Sequence, residues 1–322
     1  MAQTPPQQKP SVLAVVLLTF SAFLAGAGFG IYMPTIVVQA IKLGAPEAIA
    51  TAMVFAFPYI LTAIILLPVS IIADRTGRRK EIVLIGILIG TIFNALLAIA
   101  HSWIELAVYR TLSGVLFAVG SLYMAMATFV IPERLRGTAL GILAGSMTLG
   151  MGVSQLFTGA IFSFVGYSGL YLVAAVLSLI ALLLLLPAKV HRVQLPAMKS
   201  SDIATAFKAR GVYWTAITIT IYLIGWNLLY PSLPLVLSVI YKAPPEIYSL
   251  AMGVATLLLG IGTYIWGPVI DKLGARGTLI MAIIASAIVT YLIASLGLGT
   301  TILITATIEL IGGLMMFGLP KV

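Results

Sequence analysis

Ten apolar stretches, each at or above the roughly 20 residues that carry a helix across a hydrocarbon core, leave this chain few folds to choose from. They run at about 12–36, 50–73, 80–100, 103–130, 137–162, 167–187, 211–238, 247–270, 277–297 and 300–322. With 61% of residues hydrophobic and 8% charged, a water-facing surface is out of reach, and lipid is the solvent. In lipid every backbone N–H and C=O must be satisfied within the protein, so unbroken apolar runs of this length read as helices. The expected fold class is an all-α polytopic membrane protein.

Two of these stretches end in the same short pattern. Asp74-Arg75-Thr76-Gly77-Arg78-Arg79 follows the second, and Asp271-Lys272-Leu273-Gly274-Ala275-Arg276 follows the eighth. Asp74, Gly77 and Arg79 precede their mates by 197 residues; Tyr32 and Tyr230, Ala45 and Ala243, Gly114 and Gly312, and Gly120 and Gly318 differ by 198. One offset held across several spans marks a duplication. Carried to the fifth and sixth stretches, it puts their counterparts beyond Val322, so the chain reads as a twelve-helix protein without its last two spans. The expected organisation is a six-helix bundle over 1–187, a polar linker over 188–210 and a partial second bundle over 211–322. Within the linker, Ser201-Asp202 ahead of 203–207 suits the start of a surface amphipathic helix, and a basic segment drawn to anionic headgroups fits equally.

The net charge of +9 needs no nucleic-acid partner, because its distribution follows the topology. Fourteen of the 18 Lys and Arg residues fall in alternate loops on the side of the N-terminus. The opposite loops hold only Lys42 and Lys242, and Arg110 and Lys321 lie inside apolar runs. By the positive-inside rule the N-terminus is cytoplasmic, in a multi-pass protein of the cell membrane. The first stretch is too long for a signal-peptide core and reads as a retained helix. There is no cysteine, and His101 and His191 fall in separate loops, so neither a disulfide nor a metal site is expected. Without a Gly-x-x-x-x-Gly-Lys-Ser/Thr loop, energy from ATP is not expected either. No cofactor and no enzymatic activity are anticipated.

Polar residues inside spans are the candidates for function. Arg110 is costly at that depth unless it is paired or hydrated, so it faces the bundle interior; carbonyls and neighbouring hydroxyls are the alternative to a functional partner. Glu309 is the one acidic residue in the interior of a span, and the repeat offset sets it beside the position equivalent to Arg110. The two suit either a pair that loads and releases a proton or a static ion pair. In the seventh span Tyr222, Trp226, Asn227 and Tyr230 recur at helical spacing and form a candidate substrate wall. Gln155 either reaches the cavity or bonds to a neighbouring helix. Gly77 and Gly274 permit sharp turns, and Pro34 and Pro231 bend their helices.

The stretch from Ser70-Ile71-Ile72-Ala73-Asp74 to Arg79 resembles the signature of the major facilitator superfamily of secondary transporters, with Ser70 in place of its leading Gly. The second copy, from Gly267-Pro268-Val269-Ile270-Asp271 to Arg276, keeps that Gly. The resemblance implies two six-helix bundles rocking about a central site, and secondary transport of a small organic solute by a monomer in lipid. It implies that Asp74, Arg75, Gly77, Arg78 and Arg79, with Asp271, Lys272, Gly274 and Arg276, form gates. Asp271 is expected at the start of the fifth span near Gly137-Thr138, and Asp74 against a span outside this chain. The setting of Arg110, Tyr109-Arg110-Thr111-Leu112-Ser113-Gly114, resembles the family's fourth-helix motif, which implies proton coupling or substrate contact. The fifth span departs from the family's antiporter pattern, reading Gly150-Met151-Gly152-Val153-Ser154-Gln155 where a proline is common. Proton symport and antiport both stay open, as does a non-transporting receptor or inactive remnant.

Overall fold

The computed structural model describes residues 12–130, 135–190 and 232–274, with Arg192, Gln194, Thr205, Ile217, Thr220, Ile221, Ile224, Tyr230, Gly277, Ile280 and Ile284. Tyr222, Trp226, Asn227, Arg276 and Glu309 lie outside the described residues. Among the described residues every regular element is helical: α1 (Val12–Gly30), α2 (Met33–Lys42), α3 (Glu47–Thr76), α4 (Arg79–Leu97), α5 (Trp103–Ser113), α6 (Val115–Val130), α7 (Arg136–Leu185), α8 (Ser232–Leu235), a π turn (Val236–Ile240) and α9 (Pro245–Leu273).

Small residues and prolines decide where these helices break. α1 runs into α2 through a turn at Ile31 and Tyr32, because Pro34 has no N–H to return to Gly30. The fourth span divides at Gly114, where a Cβ would lie 2.8 Å from Pro58 Cα of α3. α7 has 50 residues, about 75 Å of helix at 1.5 Å per residue. That is more than twice a hydrocarbon core, and the chain reverses at Gly166 (φ 64, ψ −164), giving the expected fifth and sixth spans. α3 ends at Gly77 (φ 68), whose N–H donates to the Ala73 carbonyl (2.9 Å), and α9 ends at Gly274 (φ 79), whose N–H donates to the Ile270 carbonyl (2.9 Å). Both copies of the repeated pattern therefore use the same left-handed glycine stop, a conformation a Cβ disfavours.

By contacts the chain divides into two compact units, Met1–Leu195 with Pro234–Pro268, and Pro196–Leu233 with Val269–Val322. In the first, α1 lies on α7 with backbone against backbone. Gly26 and Gly150 face the carbonyl oxygens of Met147 and Phe23, and a Cβ on Gly30 would stand 2.6 Å from that of Met151. The other flank of α7 meets α9 in an antiparallel seam whose contacts run Gly141 to Gly267, Gly145 to Tyr264, Leu149 to Gly260, Gly152 to Leu257, Leu156 to Gly253 and Gly159 to Glu246. The Ser146 and Tyr264 hydroxyls hydrogen-bond across it. Lipid tails are as apolar as leucine, so such helices associate through close packing, which small residues allow. In the second unit the described part of α9 carries Asp271 and Lys272, both exposed, and Tyr230 is buried.

Among the described residues six helical stretches, with α1 and α2, α5 and α6, and the two arms of α7 each counted as one, are long and apolar enough to cross a membrane. Exposed Ile85 and Ile92 on α4, with Leu172, Val176 and Leu183 on α7, present an apolar surface suited to lipid. The protein is an integral, multi-pass membrane protein.

Candidate functional site

Arg110 sits in the last turn of α5 and is 1% exposed. One terminal nitrogen donates to Ser113 Oγ (2.9 Å) and the other to the Val54 carbonyl (2.6 Å). That carbonyl is available because Pro58, four residues on in α3, has no N–H to donate to it. Pro58 thus prepares the acceptor for an arginine on another helix. The Nε–H of Arg110 has no hydrogen-bond partner among the described residues. Nor does any ion pair among them involve Arg110.

Aromatic faces supply the rest of its surroundings. The guanidinium carbon lies 5.0 Å from the Phe29 ring centre, 5.6 Å from that of Phe117 and 6.0 Å from that of Tyr32. The negative faces of these rings attract a cation. Phe29 meets Phe117 edge to face at 5.1 Å, Tyr59 lies 5.1 Å from Phe117, and Tyr32 lies 5.2 Å from Tyr171. Helices α1, α3, α6 and α7 and the turn at Tyr32 therefore enclose one cationic side chain. Its Nε–H, without a partner among the described residues, is suited to an acceptor, above all a carboxylate, in a medium that strengthens the attraction.

A second polar set runs beside it. The Tyr32 hydroxyl donates to Asn94 Oδ1 (3.4 Å), Asn94 Nδ2 donates to Ser178 Oγ (3.4 Å), and the Tyr171 hydroxyl donates to Gln39 Oε1 (2.5 Å). Sequence reasoning singled out none of Asn94, Tyr171 or Gln39 for function. Asn94 carried the same signal as Asn227, an amide inside an apolar run. The aromatic side chains around Arg110 carried none, because rings are ordinary in spans and only folding collects them.

The repeated pattern has its own geometry. Asp74 pairs with Arg79 at 2.5 Å, spanning the Gly77 turn, and Arg79 is 4% exposed while Asp74 is 36% exposed. Arg75 and Arg78 are exposed. Replacing Asp74 with asparagine removes the carboxylate from a buried guanidinium. Discounted for the exposure of Asp74, this is expected to cost about 1–3 kcal/mol. A lowered thermal midpoint in detergent, partly recovered when Arg79→Met is added, checks it; an unchanged midpoint denies the pair any weight. In the other copy, Gly267 lies one turn before Asp271, and a Cβ there would stand 2.8 Å from the Gly137 carbonyl oxygen and 3.3 Å from Thr138 Cα. Gly267 therefore packs on the first turn of the fifth span.

Of the remaining candidates, Gln155 is fully buried in α7, one turn from Thr158, whose hydroxyl donates to the Ile31 carbonyl (2.6 Å). Among the described residues no group of three His, Cys, Asp or Glu is arranged to hold a metal ion.

A family model described as Major Facilitator Superfamily matches residues 18–320. The chromaffin granule amine transporter of Rattus norvegicus is 26% identical over 243 residues, 73% of this chain and 46% of that protein. The cis,cis-muconate transport protein of Acinetobacter baylyi is 34% identical over 114 residues, 34% of this chain and 27% of that protein. The chain thus spans half or less of the length of these relatives. Among solved structures, a bacterial homologue of the human lysosomal transporter Spinster, inward-facing and unoccupied, matches with a TM-score of 0.66 at 16% identity, covering 95% of this chain and 73% of that one. A D-xylose–proton symporter matches with a TM-score of 0.63 at 12% identity, covering 94% and 80%. At such identities the likeness is one of fold.

Proposed function

We propose that this chain, which belongs to the Major Facilitator Superfamily, works as a proton-coupled secondary transporter that moves a small organic solute by alternating access of two helical bundles. The observation that carries the reading is the buried Arg110, whose Nε–H has no partner among the described residues. Of the two solute classes in the relatives' names, amine and muconate, a carboxylate is attracted to that guanidinium and an ammonium is repelled. An organic anion is therefore the favoured solute. Glu309 is the proposed proton carrier, and Asn227, Trp226 and Tyr230 with Gln155 are proposed lining residues. Asp74 and Asp271, with Arg75, Arg78, Arg79, Lys272 and Arg276, are the proposed gates, on the cytoplasmic side that the positive-inside rule assigns to the N-terminus.

Reconstitution into liposomes tests the reading with labelled muconate and a labelled monoamine as probes. Muconate accumulation driven by an inward proton gradient, with none for the amine, is the expected result. In Glu309→Gln, exchange of solute across the membrane is expected to persist while gradient-driven accumulation is lost. Accumulation unchanged by that substitution removes Glu309 from the coupling path. A receptor or an inactive remnant is favoured by one observation, that two donors of Arg110 are already satisfied by Ser113 and Val54. In that case no flux of either probe is found.

A further inference from the structure

At the end of the bundle that carries the repeated pattern, α4 and the segment after α7 enclose a cavity of about 390 Å³, lined in part by Arg79, Lys80, Glu81, Lys189 and Arg192. Four cations and one carboxylate line it, and Arg79 is already paired with Asp74. Lys80 Nζ donates to the carbonyls of Leu186 (2.6 Å) and Ala188 (2.7 Å), closing the last turn of α7, and Arg192 pairs with Glu81. Lys189 is exposed and forms no hydrogen bond or ion pair among the described residues. The cavity also adjoins the N-terminus of α4, whose dipole favours an anion.

Two apolar stripes start from this cavity. On α4, Ile85, Leu88 and Ile92 continue the face of Glu81 at spacings of three and four, and all three are exposed. On α7, Leu183, Leu179 and Val176 continue the face of Leu186 in the same way and are exposed as well. A soluble anion has no use for such stripes, whereas acyl chains do. We infer that the cavity binds the headgroup of an anionic phospholipid, whose chains lie along Ile85, Leu88, Leu179 and Leu183. Its phosphate is held by Lys189 and Arg192, so the lipid ties the start of the linker to the first turn of α4. Transport need not occur for this site to exist, and its test is independent of solute.

The delipidated chain in detergent is titrated with dioleoyl phosphatidylglycerol, dioleoyl phosphatidylcholine and glycerol 1-phosphate, and retained ligand is counted by native mass spectrometry. One phosphatidylglycerol is expected to bind at least about tenfold more tightly than phosphatidylcholine, with no glycerol phosphate retained. Lys189→Gln with Arg192→Gln is expected to weaken it roughly 30-fold and Lys189→Gln alone roughly fivefold. Both side chains are exposed, so folding should survive their replacement. Lys42→Gln, on the opposite side of the membrane, should change nothing. Equal retention of the two lipids, or phosphatidylglycerol held equally by the double variant, overturns the site. Glycerol phosphate bound as tightly as the lipid makes it a site for soluble phosphate and overturns the lipid assignment.

Discussion

Arg110→Gln is expected to lower the affinity for an anionic solute roughly 10- to 100-fold, the equivalent of about 1.5–3 kcal/mol for a hydrogen bond to a charged group. Its thermal midpoint is expected to change little. These two results belong together. An arginine on a lone span is unfavourable by about 2.5–3.5 kcal/mol on insertion scales. In this protein the charge is offset by one carbonyl, one hydroxyl and aromatic faces, with no ion pair among the described residues. Glutamine keeps a donor for the Val54 carbonyl and removes the charge, so stability lost at the rings is balanced by desolvation no longer required. Flux measured per folded molecule, beside a thermal unfolding curve, separates the two roles. A large fall in midpoint with flux per folded molecule intact makes Arg110 structural and ends its assignment to the solute.

Gly26→Val is expected to be strongly destabilising to the first unit. A side chain there meets the Met147 carbonyl, backbone of a neighbouring helix that cannot turn aside. Overpacking in a closely fitted core costs about 1–3 kcal/mol and occasionally more, and the upper end applies where the obstacle is main chain. Loss of α1 from α7 should appear as a lower thermal midpoint and a lower yield of monodisperse protein. Gly120→Ala is the matched control, because nothing lies within 4 Å of a Cβ at that position. Alanine there is expected to be neutral or stabilising by about 0.5–1 kcal/mol through helix propensity. Equal behaviour of the two variants would refute the close packing of α1 on α7.

Much of the local geometry is legible in the sequence. The glycines after the two Asp-x-x pairs take positive φ in both copies, as a sharp helix stop demands. The break near Pro34 falls where proline chemistry puts it, and the reversal at Gly166 lies between the fifth and sixth apolar stretches. The burial of Arg110 followed from the cost of charge in lipid. The pairing of Asp74 with Arg79 was less legible, since the sequence offers Asp74 several basic neighbours and the Gly77 turn selects among them.

Sequence alone determined the helical class, the break near Pro34 and the stops at Gly77 and Gly274, because each depends on properties within one segment: apolar length, a missing N–H, backbone freedom. Tertiary structure alone decided which faces meet. Apolar side chains are equally at home against lipid and against another helix, so hydropathy cannot separate the seam from Gly141 to Gly159 from the exposed stripe through Leu172 and Val176. Nor can it show that the carbonyl released by Pro58 on α3 would be taken by Arg110 on α5. That bond joins residues 56 positions apart, and only packing brings them together.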